Sequence, residues 1–126
     1  MEKLTKAEDQ LMQVLWRLEK AFLRDLMEEV PASGKQKTKP SQSTVSTLLR
    51  ILEEKGFVAH HAYGKTFEYY PLVSKEAYAK FYFGSFLGKY FEGSFSNLLS
   101  FFHQEGDLNI EELDEILKQL KNDEEP

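Results

Sequence analysis

Apolar residues recur every three or four positions over the first thirty residues of the chain, which is the spacing of amphipathic helices. The first run follows Thr5, whose hydroxyl can form a capping box with the carboxylate of Glu8. A second run ends at Pro31, a residue that cannot continue a helix. We therefore predict two helices before residue 31. Their apolar positions are Ala7, Leu11, Val14, Leu15 and Leu18 in the first and Leu23, Leu26, Met27 and Val30 in the second.

Residues 31–40 are small, polar and basic, and this composition predicts a loop. Ser41 is suited to cap a helix and Gly56 to end one, so we predict a third helix over about residues 41–55. Its apolar stripe consists of Val45, Leu48, Leu49 and Leu52.

After Gly56 the composition becomes typical of β-strands. Residues 57–63 and 66–70 are rich in strand-forming residues, and Gly64 and Lys65 lie between them as a turn, so the two runs predict a β-hairpin. Three helices followed by a hairpin predict a winged helix-turn-helix domain over residues 1–73. The expected fold class is therefore mainly α with a small β-hairpin.

From residue 74 onward the chain is unusually aromatic, since ten of its 17 aromatic residues lie between Tyr78 and Phe102. A helix over this stretch is apolar around most of its circumference and needs packing partners on more than one side. About fifty residues cannot bury that surface alone, so we predict a helical dimerisation region over residues 74–122. The predicted dimer interface comprises Tyr78, Phe81, Tyr82, Phe86, Tyr90, Phe91, Phe95, Leu99, Phe102, Leu113 and Leu117.

Two more helices are predicted in this region. One is marked by apolar residues between Leu98 and Phe102, and the last begins with a capping signal at Asn109. Residues 123–126 are expected to form a disordered tail. The apolar stripe of the last helix consists of Leu113, Ile116, Leu117 and Leu120.

The net charge of −5 is unexpected for a protein that binds nucleic acid, but the charges are unevenly distributed. Residues 1–75 contain twelve Lys and Arg against ten Asp and Glu, a net charge of +2. Residues 76–126 contain four against eleven, a net charge of −7. The N-terminal part, and above all the acid-free stretch of residues 30–52, is thus the candidate for contact with an anionic partner.

The predicted third helix has an exposed face suited to base contacts in a DNA major groove. With Val45 at the centre of the buried face, a step of about 100° per residue defines the far side of the helix. The residues predicted there are Ser43, Ser46, Thr47, Arg50 and Glu54. Hydroxyl groups can contact bases or phosphates, and arginine can make a bidentate contact with guanine. An ordinary solvated face is the alternative interpretation. The predicted groove-facing residues are Ser43, Thr44, Ser46, Thr47 and Arg50, and Ser41 and Gln42 are also predicted to bind DNA.

Basic and imidazole side chains flank this helix and are predicted to contact or approach DNA phosphates. Three of them lie in the loop before the helix, for which a solvated linker is the alternative, and the others lie in the hairpin. These residues are Lys35, Lys37, Lys39, His60, His61 and Lys65.

The chain contains no cysteine, which excludes disulfides, zinc–thiolate sites and thiol catalysis. His60 and His61 point to opposite faces if they lie in a strand, and His103 is the only other histidine, so we predict no metal site. No phosphate-binding glycine loop or nucleophile motif is present, and we expect no cofactor and no enzymatic activity. The chain also lacks a signal region and a membrane-spanning run, so we expect a cytoplasmic protein without membrane insertion.

The chain resembles the penicillinase and methicillin-resistance repressors in three stretches. Residues 4–8 with Val14-Leu15-Trp16 resemble the family's opening helix, and residues 43–58 resemble its recognition helix and the entry to its wing. Residues 67–73, Phe-Glu-Tyr-Tyr-Pro-Leu-Val, resemble its second wing strand. The resemblance is specific in order and spacing from Leu4 to Val73 and looser to about Leu120.

This resemblance implies a homodimer on double-stranded DNA, at a palindromic operator near genes for antibiotic resistance or stress response. In better-known members, an upstream sensor-protease pathway releases DNA by cleaving the repressor in its dimerisation region. The family's Asn-Phe cleavage dipeptide aligns here with Phe101-Phe102, and the cysteines of the copper-responsive branch are absent. Arg50 and Ile51 stand where the resistance repressors tend to carry threonine and then arginine, so a different operator sequence is expected.

Two alternatives belong to other functional classes. A winged helix can serve protein–protein contact alone, with the acidic C-terminal part as the docking surface, since fold does not determine function. The aromatic C-terminal region could also bind a small molecule that regulates the protein. The response of DNA affinity to salt separates the first alternative from a DNA-binding protein.

Overall fold

The computed structural model describes residues 1–107 and 109–124, which contain six helices and one three-stranded sheet. The chain divides into two compact units, Met1–Phe81 and Tyr82–Pro126. Within the described residues, no helix is both long enough and apolar enough to cross a bilayer. The elements are α1 (Lys6–Leu18), β1 (Ala21–Phe22), α2 (Leu23–Glu29), α3 (Gln42–Glu54), β2 (Val58–Tyr63), β3 (Thr66–Pro71), α4 (Lys75–Tyr90), α5 (Phe95–Gln104) and α6 (Ile110–Glu124).

Helix α1 begins with the predicted capping box. The Thr5 hydroxyl accepts the backbone N–H of Glu8 at 3.2 Å, and the Glu8 carboxylate accepts the backbone N–H of Thr5 at 2.8 Å. The predicted apolar stripe is correct except at its first position, because Ala7 is exposed and Glu8 is buried in its place. A carboxylate is tolerated there because it is both paired and hydrogen-bonded.

The partner of Glu8 is Lys55, the residue that follows α3. Its ammonium group donates to both carboxylate oxygens, at 2.8 and 3.0 Å, and so joins the start of α1 to the end of α3. Burial alone would raise the pKa of Glu8, but the hydrogen bonds from Lys55 and Thr5 outweigh it and hold that pKa below its ordinary value. The same contact raises the pKa of Lys55.

The predicted hairpin is confirmed as strands β2 and β3. Its register pairs Val58 with Pro71 and Tyr63 with Thr66, which leaves the two-residue turn Gly64–Lys65. Gly64 adopts a φ of 62°, a left-handed conformation that glycine takes without steric cost. The sheet order is β1-β3-β2, since β1 pairs with β3 through Ala21 and Tyr69. Strand β1 was not predicted, because two residues are too short to show an alternating pattern.

Residues just before and within the first turns of α4 pack against the core of the first unit. Tyr78 is buried, its ring packs edge-on against Phe57, and its hydroxyl accepts the backbone N–H of Leu4 at 2.9 Å. The indole N–H of Trp16 donates to the carbonyl of Val73 at 2.8 Å. The core residues are Leu11, Met12, Val14, Leu15, Ala21, Leu26, Val45, Leu49, Leu52, Phe57, Val58 and Tyr78.

The second unit buries few apolar residues. Leu87 and Leu98 are its buried hydrophobic side chains among those described, and its rings form pairs such as Phe83 with Phe95. The predicted cap of the last helix is confirmed, because the Asn109 side chain accepts the backbone N–H of Glu112 at 2.7 Å. Of the predicted tail, α6 includes residues 123 and 124, and residues 125 and 126 lie outside the described part. The side chain of Leu120 also lies outside it.

Candidate nucleic-acid interface

Helix α3 has the two faces that its sequence predicts. Val45, Leu49 and Leu52 are at most 1% exposed, whereas every residue predicted on the opposite side is exposed. We call these exposed residues the polar face. It consists of Ser43, Ser46, Thr47, Arg50 and Glu54. Four of its five side chains are a hydroxyl or a guanidinium, so a base edge or a phosphate can approach the helix closely.

The first turn of α3 concentrates hydroxyl groups. Ser41 caps the helix by accepting the backbone N–H of Thr44 at 3.2 Å. Its hydroxyl also lies 3.1 Å from that of Ser43 and 2.9 Å from that of Thr44. Gln42 is exposed beside them. Hydroxyls can rotate to donate or accept, so this turn can bond an acceptor or a donor on DNA.

The loop before α3 is a small hairpin rather than an extended linker, because Ser33 and Thr38 form an antiparallel bridge. Lys35 and Lys37 are exposed on it. Lys39 differs from them, since its ammonium group donates to the carbonyls of Glu28 at 2.8 Å and Met27 at 3.4 Å. Lys39 thus satisfies two of the C-terminal carbonyls of α2, three residues before α3 begins.

The hairpin β2–β3, here called the wing, places its two histidines differently. His60 contacts the carboxylate of Glu53 on α3 through Nδ1, and its ring stacks on Phe67 at 4.1 Å between centroids. His61 is exposed and stacks on Tyr70 at 4.9 Å. His60 therefore ties the wing to α3 and presents less of its ring to a ligand than His61 does. Lys65, at the wing tip, is exposed.

The contact between the wing and α3 also affects the pKa of a tyrosine. Tyr69 lies partly buried beside His60, and burial raises the pKa of its phenol, with a smaller contribution from the charge of Glu53. A phenol is already neutral at physiological pH and the shift makes it harder to ionise, so Tyr69 adds no negative charge to this junction.

Arg24 was not among the residues predicted from sequence, although the structure places it beside several of them. It is exposed on α2 and lines one hollow with Lys65 of the wing and another with Lys39 and Gln42. Nothing in the sequence distinguishes Arg24 from Arg17, the other arginine of the first two helices. Only the fold places the former beside the wing and the latter against Glu29, at 2.9 Å.

Side chains that could ligate a metal do not gather in the described part of the chain. No three His, Asp or Glu side chains lie close enough together there to hold an ion. His60 and His61, which the sequence places next to each other, engage different partners, as their alternating directions in a strand require.

The residues predicted at a dimer interface fall into two groups. Tyr78 is buried in the first unit, and Phe81 packs against the same core, so most of their surface is used within one chain. The others lie in the second unit, where each is exposed or half-buried. They are Tyr82, Phe86, Tyr90, Phe91, Phe95, Leu99, Phe102, Leu113 and Leu117.

Comparison with known proteins gives concordant matches. The sequence profile of the penicillinase repressor family matches residues 4–122. The penicillinase repressor of Bacillus licheniformis is 27% identical over 123 residues, 95% of this chain and 93% of its own. The methicillin resistance regulatory protein MecI of Staphylococcus aureus strain N315 is 27% identical over 114 residues, 90% and 89% of the two chains. The solution structure of the DNA binding domain of the repressor BlaI superimposes with a TM-score of 0.50 at 27% identity, over 62% of this chain and 94% of that one.

Proposed function

Because this chain belongs to the penicillinase repressor family, we propose that it is a sequence-specific DNA-binding repressor of transcription that acts as a homodimer on a palindromic operator. The family match over residues 4–122 confirms the resemblance stated from three short stretches of sequence. The similarity to the DNA binding domain of BlaI supports the winged-helix fold and DNA as the partner.

The observation that carries the proposal is the polar face of α3. All of its residues are exposed, it carries short hydroxyl side chains and Arg50, and three buried side chains on the opposite side anchor the helix to the core. Such a helix can enter a major groove without displacing bulky side chains. The wing and the loop lysines Lys35 and Lys37 flank this helix in the chain and supply the cations that phosphate contact needs.

The homodimer is supported by the second unit. Its large apolar side chains include Tyr90 at 62% exposed and Leu117 at 52% exposed. Exposed apolar patches of this kind mark interaction surfaces. We propose that a second copy of the unit covers them, because two linked recognition helices are what a palindromic site with half-sites about one helical turn apart requires.

The regulated genes that we propose are those of antibiotic resistance or stress response. The support is the names of the relatives, a penicillinase repressor and a methicillin resistance regulatory protein, each matched over most of its length. The proposal includes no enzymatic step and no cofactor.

An electrophoretic mobility shift on the region upstream of the protein's own gene, at two salt concentrations, tests the function. We expect preference over random duplex of the same length and a steep loss of affinity at the higher salt, because phosphate contacts release counterions. Equal affinity for operator and random DNA would overturn sequence-specific repression. Sedimentation of the free protein and of the complex tests the homodimer separately.

A further inference from the structure

A hollow of about 460 Å³ lies between the start of α2 and the wing, inside the first unit. One wall is formed by the end of β1 and the first turn of α2, and the other by the wing tip and β3. Its lining contains two cations and no carboxylate. The lining residues are Phe22, Leu23, Arg24, Lys65, Thr66, Phe67 and Tyr69.

The two cations of this hollow are available for a ligand. Arg24 and Lys65 are exposed, and neither has a carboxylate partner within the part of the chain that the structure describes. Asp25, next to Arg24 in the sequence, already accepts the backbone N–H of Phe22 at 3.0 Å. Glu28, one turn further along α2, lines the second hollow with Arg24 but forms no ion pair with it in the described residues. Arg17 provides the contrast, since Glu29 neutralises it.

The position of Arg24 connects the wing to the start of the recognition helix. The same side chain lines a second hollow with Lys39 and Gln42, and Gln42 is the first residue of α3. Arg24 therefore lies between the element predicted to enter the groove and the tip of the wing beside it. An anion bound here would therefore lie near both the wing tip and the first turn of α3.

The walls of the hollow suit a phosphodiester with its sugar. A guanidinium can bond two oxygens of one phosphate, and an ammonium adds a second charge without a geometric requirement. Thr66 contributes a hydroxyl, and the ring of Phe67, 39% exposed, offers an apolar surface for a deoxyribose. We propose that Arg24 and Lys65 together clamp one backbone phosphate of the operator, at a point outside the base-reading helix. This inference rests on the proposed function, because it assumes that the chain binds DNA.

Variants of the full-length protein test the clamp through the salt dependence of operator binding. Arg24→Ala and Lys65→Ala should each weaken binding about tenfold, equally on operator and random duplex. Each should also make the salt dependence weaker, reducing the magnitude of the slope of log affinity against log salt by about one. Arg24→Lys keeps the charge and should restore the slope while recovering only part of the affinity. Arg17→Ala is the matched control, an exposed arginine of the same unit that should change neither quantity.

The double variant distinguishes a shared phosphate from two separate contacts. If both side chains hold one phosphate, Arg24→Ala with Lys65→Ala should lose less than the product of the two single effects. Fully multiplicative losses would overturn the clamp and leave two independent contacts. Circular dichroism of every variant checks that the fold is retained.

Two further outcomes separate this inference from the function beneath it. If the wild type prefers its operator and Arg24→Ala binds as the wild type does, the clamp is wrong and the repressor proposal stands. If inorganic phosphate stabilises the wild type but not Arg24→Ala, with DNA binding unchanged, the hollow is a site for a free anion instead. Absence of operator preference in the wild type removes both proposals.

Discussion

The two units of this chain differ in how far they bury their apolar side chains. The first unit, Met1–Phe81, buries a core of twelve side chains and exposes a polar helix face. The second unit begins at Tyr82 and contains nine of the thirteen large apolar side chains that are exposed in the described residues. It is the shorter unit, so its exposed apolar side chains are also much denser along the chain.

The difference shows that similar hydrophobic content can be buried within one unit or left largely exposed in another. In the first unit, side chains from four helices and the sheet cover one another, and the polar face of α3 stays exposed. In the second unit, aromatic rings contact one another in pairs, as Phe91 and Phe101 do edge-on at 5.8 Å between centroids, but most of these side chains remain exposed. We therefore expect the first unit to be stable by itself and the second to depend on a partner copy.

Leu117→Arg should produce the largest effect, because it places a charge in the exposed apolar surface of the second unit. We expect a monomer, and affinity for a full palindrome about 100-fold to 1,000-fold lower, since a linked pair of half-site contacts becomes a single one. Affinity for an isolated half-site should be unchanged. Sedimentation and mobility shifts measure both quantities. Glu115→Arg, on the opposite side of α6, is the control; an unaltered dimer in Leu117→Arg would contradict the proposed interface.

Glu8→Gln tests whether the first unit is stabilised by its own contacts, independently of the second. Glutamine preserves the capping box but removes the charge that Lys55 contacts, so we expect a loss of about 2 to 3 kcal/mol in the free energy of unfolding. Since the pKa of Glu8 is lowered by folding, the wild type should lose this stability as the pH falls below the ordinary carboxyl range near 4.5, and the variant should not.

Urea unfolding across the pH range measures this effect. The control is Glu29→Gln, which breaks the exposed pair with Arg17 in the same unit and should cost less than about 0.5 kcal/mol. The dimerisation constant should not respond to Glu8→Gln, because the two units are expected to be stabilised separately. A parallel loss of dimer would show that they are coupled.

Arg50→Ala probes the polar face itself. We expect a loss of roughly 1–3 kcal/mol in specific binding and of the preference at one base position, without a change in the oligomeric state. Selection from a randomised operator library measures the preference. A loss of equal size on every sequence would instead assign Arg50 to the phosphate backbone.

Trp16→Phe should have the smallest effect, about 1 kcal/mol in the stability of the first unit. It keeps the aromatic ring next to Tyr78 but removes the hydrogen bond to the carbonyl of Val73. Thermal unfolding measures the loss, and Tyr63→Phe, an exposed residue of the wing, is the control. Any effect larger than that of Glu8→Gln would mean that the indole does more than satisfy this carbonyl.

The helices, the hairpin and the polar face of α3 follow from local pattern. Period, caps and turn residues act within a few positions, so Thr5, Ser41 and Gly64 are sufficient to place element ends. The exposed side of α3 is likewise a consequence of the helical repeat once Val45 is buried. The family resemblance depended on the same local stretches.

Tertiary structure alone decided the contacts between distant positions. Strand β1 exists because β3 offers it hydrogen bonds, and Glu8 is buried because Lys55, 47 positions later, neutralises it. Lys39 and His60 were predicted at phosphates, and the fold gives them protein partners that no spacing rule specifies. Arg24 faces the wing only because α2 packs where it does. A local pattern determines which face of an element is polar, and packing determines what that face meets.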